Sequence, residues 1–208
     1  MAISLDNNNS VTIVACFEKK LENSLYNKIS FFKVNIMKTG FLKYWEYHRK
    51  VSFFLKNKHF DFVICGDMYS LSAASFNKKN NKIIYDSREI YSSLFAHTNK
   101  PVYRFLCGFY EKVFLKYVDS VIVTAKTDLF FLKKKYSNYT SLRWHVVYNY
   151  PSSFLTATSK NLRKKFSIPK NNIILLYHGA IHRGRGLSPL IKLTASASHI
   201  TSIIIGDG

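Results

Sequence analysis

The sequence predicts an α/β protein built on parallel sheets, and three observations lead there. Short apolar runs alternate with amphipathic stretches along the chain, the pattern of strands alternating with helices. The stretches between successive runs are long enough for helical crossovers, which implies parallel strands joined with right-handed connections. The alternation breaks once, at Asn149-Tyr150-Pro151 and a Ser/Thr-rich segment to Ser159, and then resumes. Residues 1–150 and 151–208 are therefore read as two domains.

The first domain opens with a strand at Val11–Cys16 (VTIVAC) and a second at Ser30–Ile36. In Phe41–Lys56, the residues Phe41, Tyr44, Trp45, His48, Val51 and Leu55 recur at spacings of three and four, which predicts one apolar helical face with His48 packed on it. Phe62–Cys65 (FVIC) reads as a short buried strand ending at Gly66-Asp67, followed by a small helix at Leu71–Phe76 and a strand at Ile83–Tyr85. Pro101 suits the first turn of a helix, where its missing N–H is not needed. Val102, Phe105, Leu106, Phe109 and Val113 then form an apolar stripe that ends near Tyr117. Ser120–Thr124 is the next strand, and Asp128–Tyr136 the next helix, its last turn carrying Lys133, Lys134 and Lys135 where the dipole favours cations. Trp144–Val147 closes the domain. Beyond the break come a strand at Ile173–Tyr177, a glycine-containing loop from Gly179 to Gly186, a helix at Leu187–Ser196 and a strand at Ser202–Ile205.

At 208 residues, 47% hydrophobic and 21% charged, the chain has the composition of a globular protein that can bury a core. Its 31 Lys and Arg against 12 Asp and Glu leave a formal charge of +19, which favours an anionic partner: nucleic acid, an anionic membrane surface or a phosphorylated substrate. Coding bias toward Lys, Asn, Ile, Phe and Tyr explains part of the excess equally well. Nucleic acid is the partner least indicated, because none of its recognition motifs is present with basic and aromatic residues in place. Cys16, Cys65 and Cys107 lack metal-ligand spacing and read as buried reduced thiols. No metal site and no cofactor are predicted. No apolar run reaches membrane-spanning length, and the N-terminus does not read as a signal peptide. The expected location is the cytoplasm, with peripheral contact at the inner face of the membrane.

Ligands of open parallel sheets bind at the carboxyl ends of the strands, and three such ends carry suggestive residues. After Ile173–Tyr177 the chain reads His178-Gly179-Ala180-Ile181-His182-Arg183-Gly184-Arg185-Gly186-Leu187. A glycine-rich turn opening a helix offers N–H groups and a positive dipole end to an anion. Arg183 and Arg185 add donors matched to phosphate oxygens. A diphosphate leaving group could be held there; a surface turn with two solvated arginines is the plain alternative. Asp86, Arg88 and Glu89 follow Ile83–Tyr85 and could orient acceptor hydroxyls or form a structural ion pair. Asp67 could bind a substrate hydroxyl, although capping of the next helix is the commoner role for such a residue.

Taken together and in order, FDFVICGD, KIIYDSREIY, YEKVFLKYVDSVIVTA, HVVYNYP, LRKKFSI, ILLYHGAIHRGRGLSPLI and IIIGDG resemble family-4 glycosyltransferases of the GT-B type, from about Phe60 to Gly208. The resemblance implies an incomplete N-terminal Rossmann-like domain on the acceptor side and the beginning of a second Rossmann-like domain on the donor side. It implies transfer from a nucleotide-diphosphate sugar to a glycan or lipid-linked acceptor of the cell envelope or surface polysaccharide, usually with retention and without a metal. Asn149-Tyr150-Pro151 is then the crossover between domains. Arg185-Gly186 takes the position that contacts the donor diphosphate, with Gly179, Arg183 and Gly184 in the same loop. Asp67 falls near the catalytic acceptor-side position, and Asp86, Arg88 and Glu89 match an acceptor-side motif.

Two departures qualify the likeness. The strand Val11–Cys16 is followed by Phe17-Glu18-Lys19-Lys20, without the glycine-rich loop of the family. The family's paired-glutamate donor motif would lie beyond Gly208. The expectation is a chain truncated at both ends and weak or inactive by itself, with a partner chain completing the C-terminal domain. The alternative is a non-catalytic basic α/β module that binds an anionic membrane surface or a partner chain.

Overall fold

The computed structural model describes residues 9–16, 29–78, 81–94, 98–150 and 161–208. The loop at 17–20 and the segment at 151–159 lie outside the described residues. The chain divides into two compact units, Met1–Asn149 and Tyr150–Gly208.

In the first unit, β1 (Val11–Ala15) and β2 (Ile29–Lys33) pair in parallel. Strands β3 (Phe62–Cys65), β4 (Lys82–Ser87), β5 (Ser120–Val123) and β6 (Arg143–Val146) form a parallel sheet in chain order. Helix α1 (Leu42–Lys56) precedes β3. Helices α2 (Ser70–Ser75), α3 (Pro101–Leu115) and α4 (Lys126–Lys135) make the three crossovers of that sheet. A 3-10 turn at Tyr91–Ser93 leads toward α3. In the second unit, a short α5 (Leu162–Lys165) is capped by the Asn161 side chain, which accepts from the N–H groups of Arg163 and Lys164. Then β7 (Ile173–His178), α6 (Leu187–Ser196) and β8 (Ile200–Ile205) follow, with β7 and β8 parallel. Every strand pair is parallel, which gives the Rossmann-like α/β fold expected from the alternating pattern.

The first unit is packed around two apolar clusters. One gathers Leu71, Ile83, Tyr85, Leu115, Val121 and Leu132 between the four-stranded sheet and its helices. The other joins Val34 after β2 to Val51, Phe54 and Leu55 of α1 and Ala73 of α2. Helix α2 serves both, because its residues Ser72, Ala73, Ala74 and Ser75 are small enough to be buried on every side. Each large side chain so buried contributes about 2 kcal/mol.

Three readings of the sequence are corrected here. Phe41 and Trp45 are 84% and 51% exposed, so α1 buries the side that carries Glu46, Val51, Phe54 and Leu55. Helix α3 departs further: Val102, Phe105, Leu106 and Phe109 face solvent, while Cys107, Glu111 and Leu115 face the core. Both helices turn a carboxylate inward because hydrogen-bond donors wait for it there. Glu46 accepts from the N–H groups of Met37 and Lys38 and pairs with Lys50 at 2.6 Å. Glu111 accepts from Tyr85 Oη at 2.8 Å and from Tyr136 Oη, with Lys135 Nζ at 3.6 Å. The third correction is Cys16, which is exposed where the chain leaves β1, whereas Cys65 and Cys107 are buried. His48 is half-buried, as its place on α1 implied; its Nδ1 lies 2.8 Å from Ser72 Oγ, and burial lowers its pKa.

The second unit has little core. Among its described residues only Ile168 is buried, and Ile173, Leu176, Ile204 and Ile205 remain between 38% and 55% exposed. Strands of parallel sheets are ordinarily covered on both faces.

Two outcomes follow from the buried carboxylates. Glu111→Ala would leave two tyrosine hydroxyls unpaired and is expected to lower unfolding free energy by about 3–5 kcal/mol in urea titration, with a smaller loss for Glu111→Gln. The Glu46 pKa is lowered from 4.5 to about 2, first by the Lys50 hydrogen bond and then by the Lys38 N–H. A carboxylate lowered in the folded state adds stability that is present above its ordinary pKa and lost as pH falls through the folded value. Melting temperature should therefore drop between pH 4.5 and about 2, and the Glu46→Gln profile should lack that component.

Candidate functional site

The carboxyl ends of β3 to β6 lie side by side, since the register aligns Cys65 with Tyr85 and Ser87 with Val123 and Val146. Asp67 stands just beyond β3. Its Oδ1 accepts from Ser70 N at 2.8 Å and its backbone carbonyl accepts from Ser70 Oγ, so Asp67 caps the start of α2. Asp86, at the end of β4, is buried and receives Arg88 Nε at 2.9 Å, while the Arg88 side chain is 64% exposed. Glu89 is exposed, and its backbone oxygen accepts from Ser87 Oγ. Asp86 and Arg88 thus form a local ion pair, and Asp67 lies at the end of the neighbouring strand.

Tyr91, close enough to feel the charges of Asp67 and Glu89, belongs to a group of tyrosines that the sequence reading did not bring together. Tyr44 and Tyr69 stack with centroids 4.3 Å apart, Tyr69 meets Tyr91 edge-on at 5.6 Å, and the hydroxyls of Tyr69 and Tyr103 are 2.8 Å apart. Burial, followed by the charges of Asp67 and Glu89, pushes the Tyr91 hydroxyl up to about 12. The cluster is an apolar wall with hydroxyl tips, the kind of surface that can both stack on a ring and hydrogen-bond to it. No signal local to the sequence finds it, because the four residues come from α1, the β3–α2 link, the 3-10 turn and α3.

The loop from His178 to Gly186 belongs to the second unit and is tied to the end of β8. Gly179 N donates to Ile205 O at 3.0 Å, Ile181 N to Asp207 O at 2.8 Å, and Tyr177 Oη to Ala180 O at 2.7 Å. Arg185 Nε donates to His182 Nε2 at 3.1 Å, which leaves Nδ1 as the protonated nitrogen, facing Arg183 O at 2.8 Å. Gly186, at φ +75°, is the N-cap of α6, and no side chain caps that helix end and no acid occupies its first turn. Arg183, Gly184, Arg185 and Gly186 are all exposed. An uncapped helix start beside two guanidinium groups can attract an anion through N–H donors, the helix dipole and charge together.

Cavities among the described residues lie elsewhere. One of about 120 Å³ is lined by β1, β3 and α1 residues including Val14, Tyr47 and Val63; one of about 490 Å³ lies beside β2 and α1 at Lys33, Arg49 and Phe53. Neither is lined by Asp67, Asp86 or the 178–186 loop. Among the described residues, no group of three or more His, Cys, Asp or Glu side chains could hold a metal ion, and no helix is long and apolar enough to cross a membrane.

The class that the fold defines is a Rossmann-like parallel α/β protein. Among solved structures, the apo form of the lipopolysaccharide outer core galactosyltransferase WaaB is similar in fold, with a TM-score of 0.56 at 18% identity over 92% of this chain and 49% of that one. The S. aureus MnaA–UDP co-structure is matched with a TM-score of 0.41 at 16% identity, over 88% of this chain and 50% of that one. The chain spans about half the length of these structures. No protein-family model matches it, and no curated protein matches it in sequence.

The loop's anchorage can be tested directly. A Cβ on Gly206 would lie 1.8 Å from the carbonyl oxygen of Gly179, so Gly206→Ala must push β8 and the loop apart. Faster amide exchange at Gly179 and Ile181 is expected, with a stability loss of about 2 kcal/mol or more in the second unit.

Proposed function

We propose that the chain is glycosyltransferase-like and takes part in sugar transfer from a nucleotide-diphosphate sugar to a hydroxyl of a cell-envelope or polysaccharide acceptor in the cytoplasm. The observation that carries this reading is the uncapped start of α6 at Gly186 with Arg183 and Arg185 in the preceding loop. In transfer, the bond between the anomeric carbon and the donor diphosphate breaks, and a bond to the acceptor oxygen forms. Negative charge develops on the departing diphosphate, and preorganised N–H and guanidinium donors are what stabilise such a group. Gly179, Arg183, Gly184, Arg185 and Gly186 are assigned to the diphosphate.

Met1–Asn149 is assigned to the acceptor. Asp67 is its candidate base for the acceptor hydroxyl proton, with the cap to Ser70 holding one carboxylate oxygen in place. Asp86, Arg88 and Glu89 orient the acceptor, and the tyrosine group offers a sugar ring a stacking wall. A lipid-linked acceptor and a partner chain that completes the donor side belong to the same proposal.

The test is a thermal-shift titration of the chain with a panel of sugar nucleotides and free nucleoside diphosphates. Ligand that binds only the folded state raises its melting temperature by mass action. A saturable shift with one donor is expected, weakened about tenfold or more in Arg185→Ala, as the loss of a charge-assisted contact implies. A cooperative melt with no shift for any diphosphate would remove the donor assignment.

A further inference from the structure

The first unit holds two separate parallel ladders, β1 with β2 and β3 with β4 to β6, and each ends in an unpaired strand edge. Val34 N donates to Ala15 O at 2.9 Å, so Ala15 and, two residues back, Ile13 turn their N–H and C=O toward β2. The intervening Thr12 and Val14 turn theirs the other way. On β3, Lys82 N donates to Asp61 O at 3.0 Å, which assigns Asp61, Val63 and Cys65 to β4 and leaves Phe62 and Ile64 facing away from it. Thr12, Val14, Phe62 and Ile64 all line the cavity of about 120 Å³. Among the described residues, no backbone hydrogen bond joins β1 to β3 across it.

The two edges bound a slot that has a floor and a direction. Val14 and Val63 pack on the same cluster, which includes Val51 and Leu55 of α1 and Ala73 of α2, so the helices close one face. On the other face Phe62 and Ile64 are 56% and 38% exposed, and the slot is open to solvent there. Burial first, and then the charges of Asp67, Cys16 and Cys65, push the Tyr47 hydroxyl up. The Asp67 charge also reaches Cys16. The carboxyl ends of both strands therefore lie around one side chain, and β1 and β3 run in the same direction. A single strand between them would pair with both edges at the ordinary spacing of about 4.8 Å.

We infer that this slot takes one apolar strand of a second polypeptide, inserted parallel to β1 and β3 and joining the two ladders into one sheet. Strand addition draws affinity from main-chain hydrogen bonds and selectivity from the side chains at alternate positions. Here both edges of the incoming strand would pair. Its residues are apolar on both faces, one set against Val14, Val63 and Leu55 and the other beside Phe62 and Ile64. The ten residues that precede β1 are too few for a strand together with the crossover of about a dozen residues that a parallel neighbour of β1 needs. A folded second copy would bring each edge strand with its own ladder attached, whereas a slot between two edges admits a strand paired to nothing. The inference concerns Met1–Asn149 and stands apart from the diphosphate assignment on α6.

Fluorescence anisotropy of a labelled probe peptide mixed with the full chain tests it. The probe carries a short run of alternating valines and isoleucines between acidic ends, and a control peptide has proline in the middle of the run. Saturable binding of the probe is expected, weakened at least about tenfold by the proline, which cannot donate to a ladder. Amide exchange at Thr12, Val14, Phe62 and Ile64 should slow on binding, because their N–H groups then enter a ladder. A nitroxide on the carboxyl end of the probe should broaden the amide signals of Gly66 and Asp67, and one on its amino end should leave them sharp. Ile64→Pro removes a donor that faces the slot, not one that faces β4, and should weaken binding about tenfold. The exchange pattern of the parent protein decides the matter if that variant does not fold. Equal binding of the two peptides would overturn the inference, since apolar adsorption would then explain both. Absence of binding would overturn it too, as would protection confined to other amides or broadening of Gly66 and Asp67 from the amino end. Protection of the same four amides by self-association without the probe would also count against it, because a second copy would then fill the slot.

Discussion

The carboxylate of Glu111, 1% exposed, receives the hydroxyls of Tyr85 and Tyr136 and faces the ammonium of Lys135. It joins α3 to β4 on one side and to α4 and the residue after it on the other. A buried charge is costly unless its lone pairs are filled, so these partners set the rotation of α3 about its axis. Once Glu111 points inward, Cys107 and Leu115 follow it at helical spacing, and the phenylalanines must point away. Tyr85 is held by the same contact, and alternation along β4 then sends Asp86 to the opposite side of the sheet, where Arg88 meets it.

Much of the fold was legible because parallel strands announce themselves as compact apolar runs. FVIC at 62–65 and the helix Leu187–Ser196 were read with the bounds observed. The short α5 escaped notice, since four residues hold no period and its start depends on the Asn161 cap. Helix faces were less legible on α1 and α3. Counting apolar residues treats every glutamate as outward-facing, whereas Glu46 and Glu111 are drawn in by backbone N–H groups and hydroxyls contributed by distant parts of the chain.

The site divides in the same way. The 178–186 loop is contiguous, so its glycines and arginines could be read in one glance along the sequence. Tyr44, Tyr69, Tyr91 and Tyr103 are separated by whole elements and meet only because parallel strands place their carboxyl ends together. The capping role of Asp67 was equally legible, because its partner Ser70 lies only three positions further on.

Helix α2 has a consequence for how such a chain can change over generations. Its six residues, SLSAAS, stand between two cores, and Leu71 and Ala73 have no exposed surface at all. An added methyl group at Ala73 or Ala74 would press on α1 and the sheet together, so compensation would need simultaneous changes in partners far apart in sequence. Lineages of this protein should therefore drift freely over the exposed lysines while α2 stays nearly still, a short fixed word in a loosely edited text.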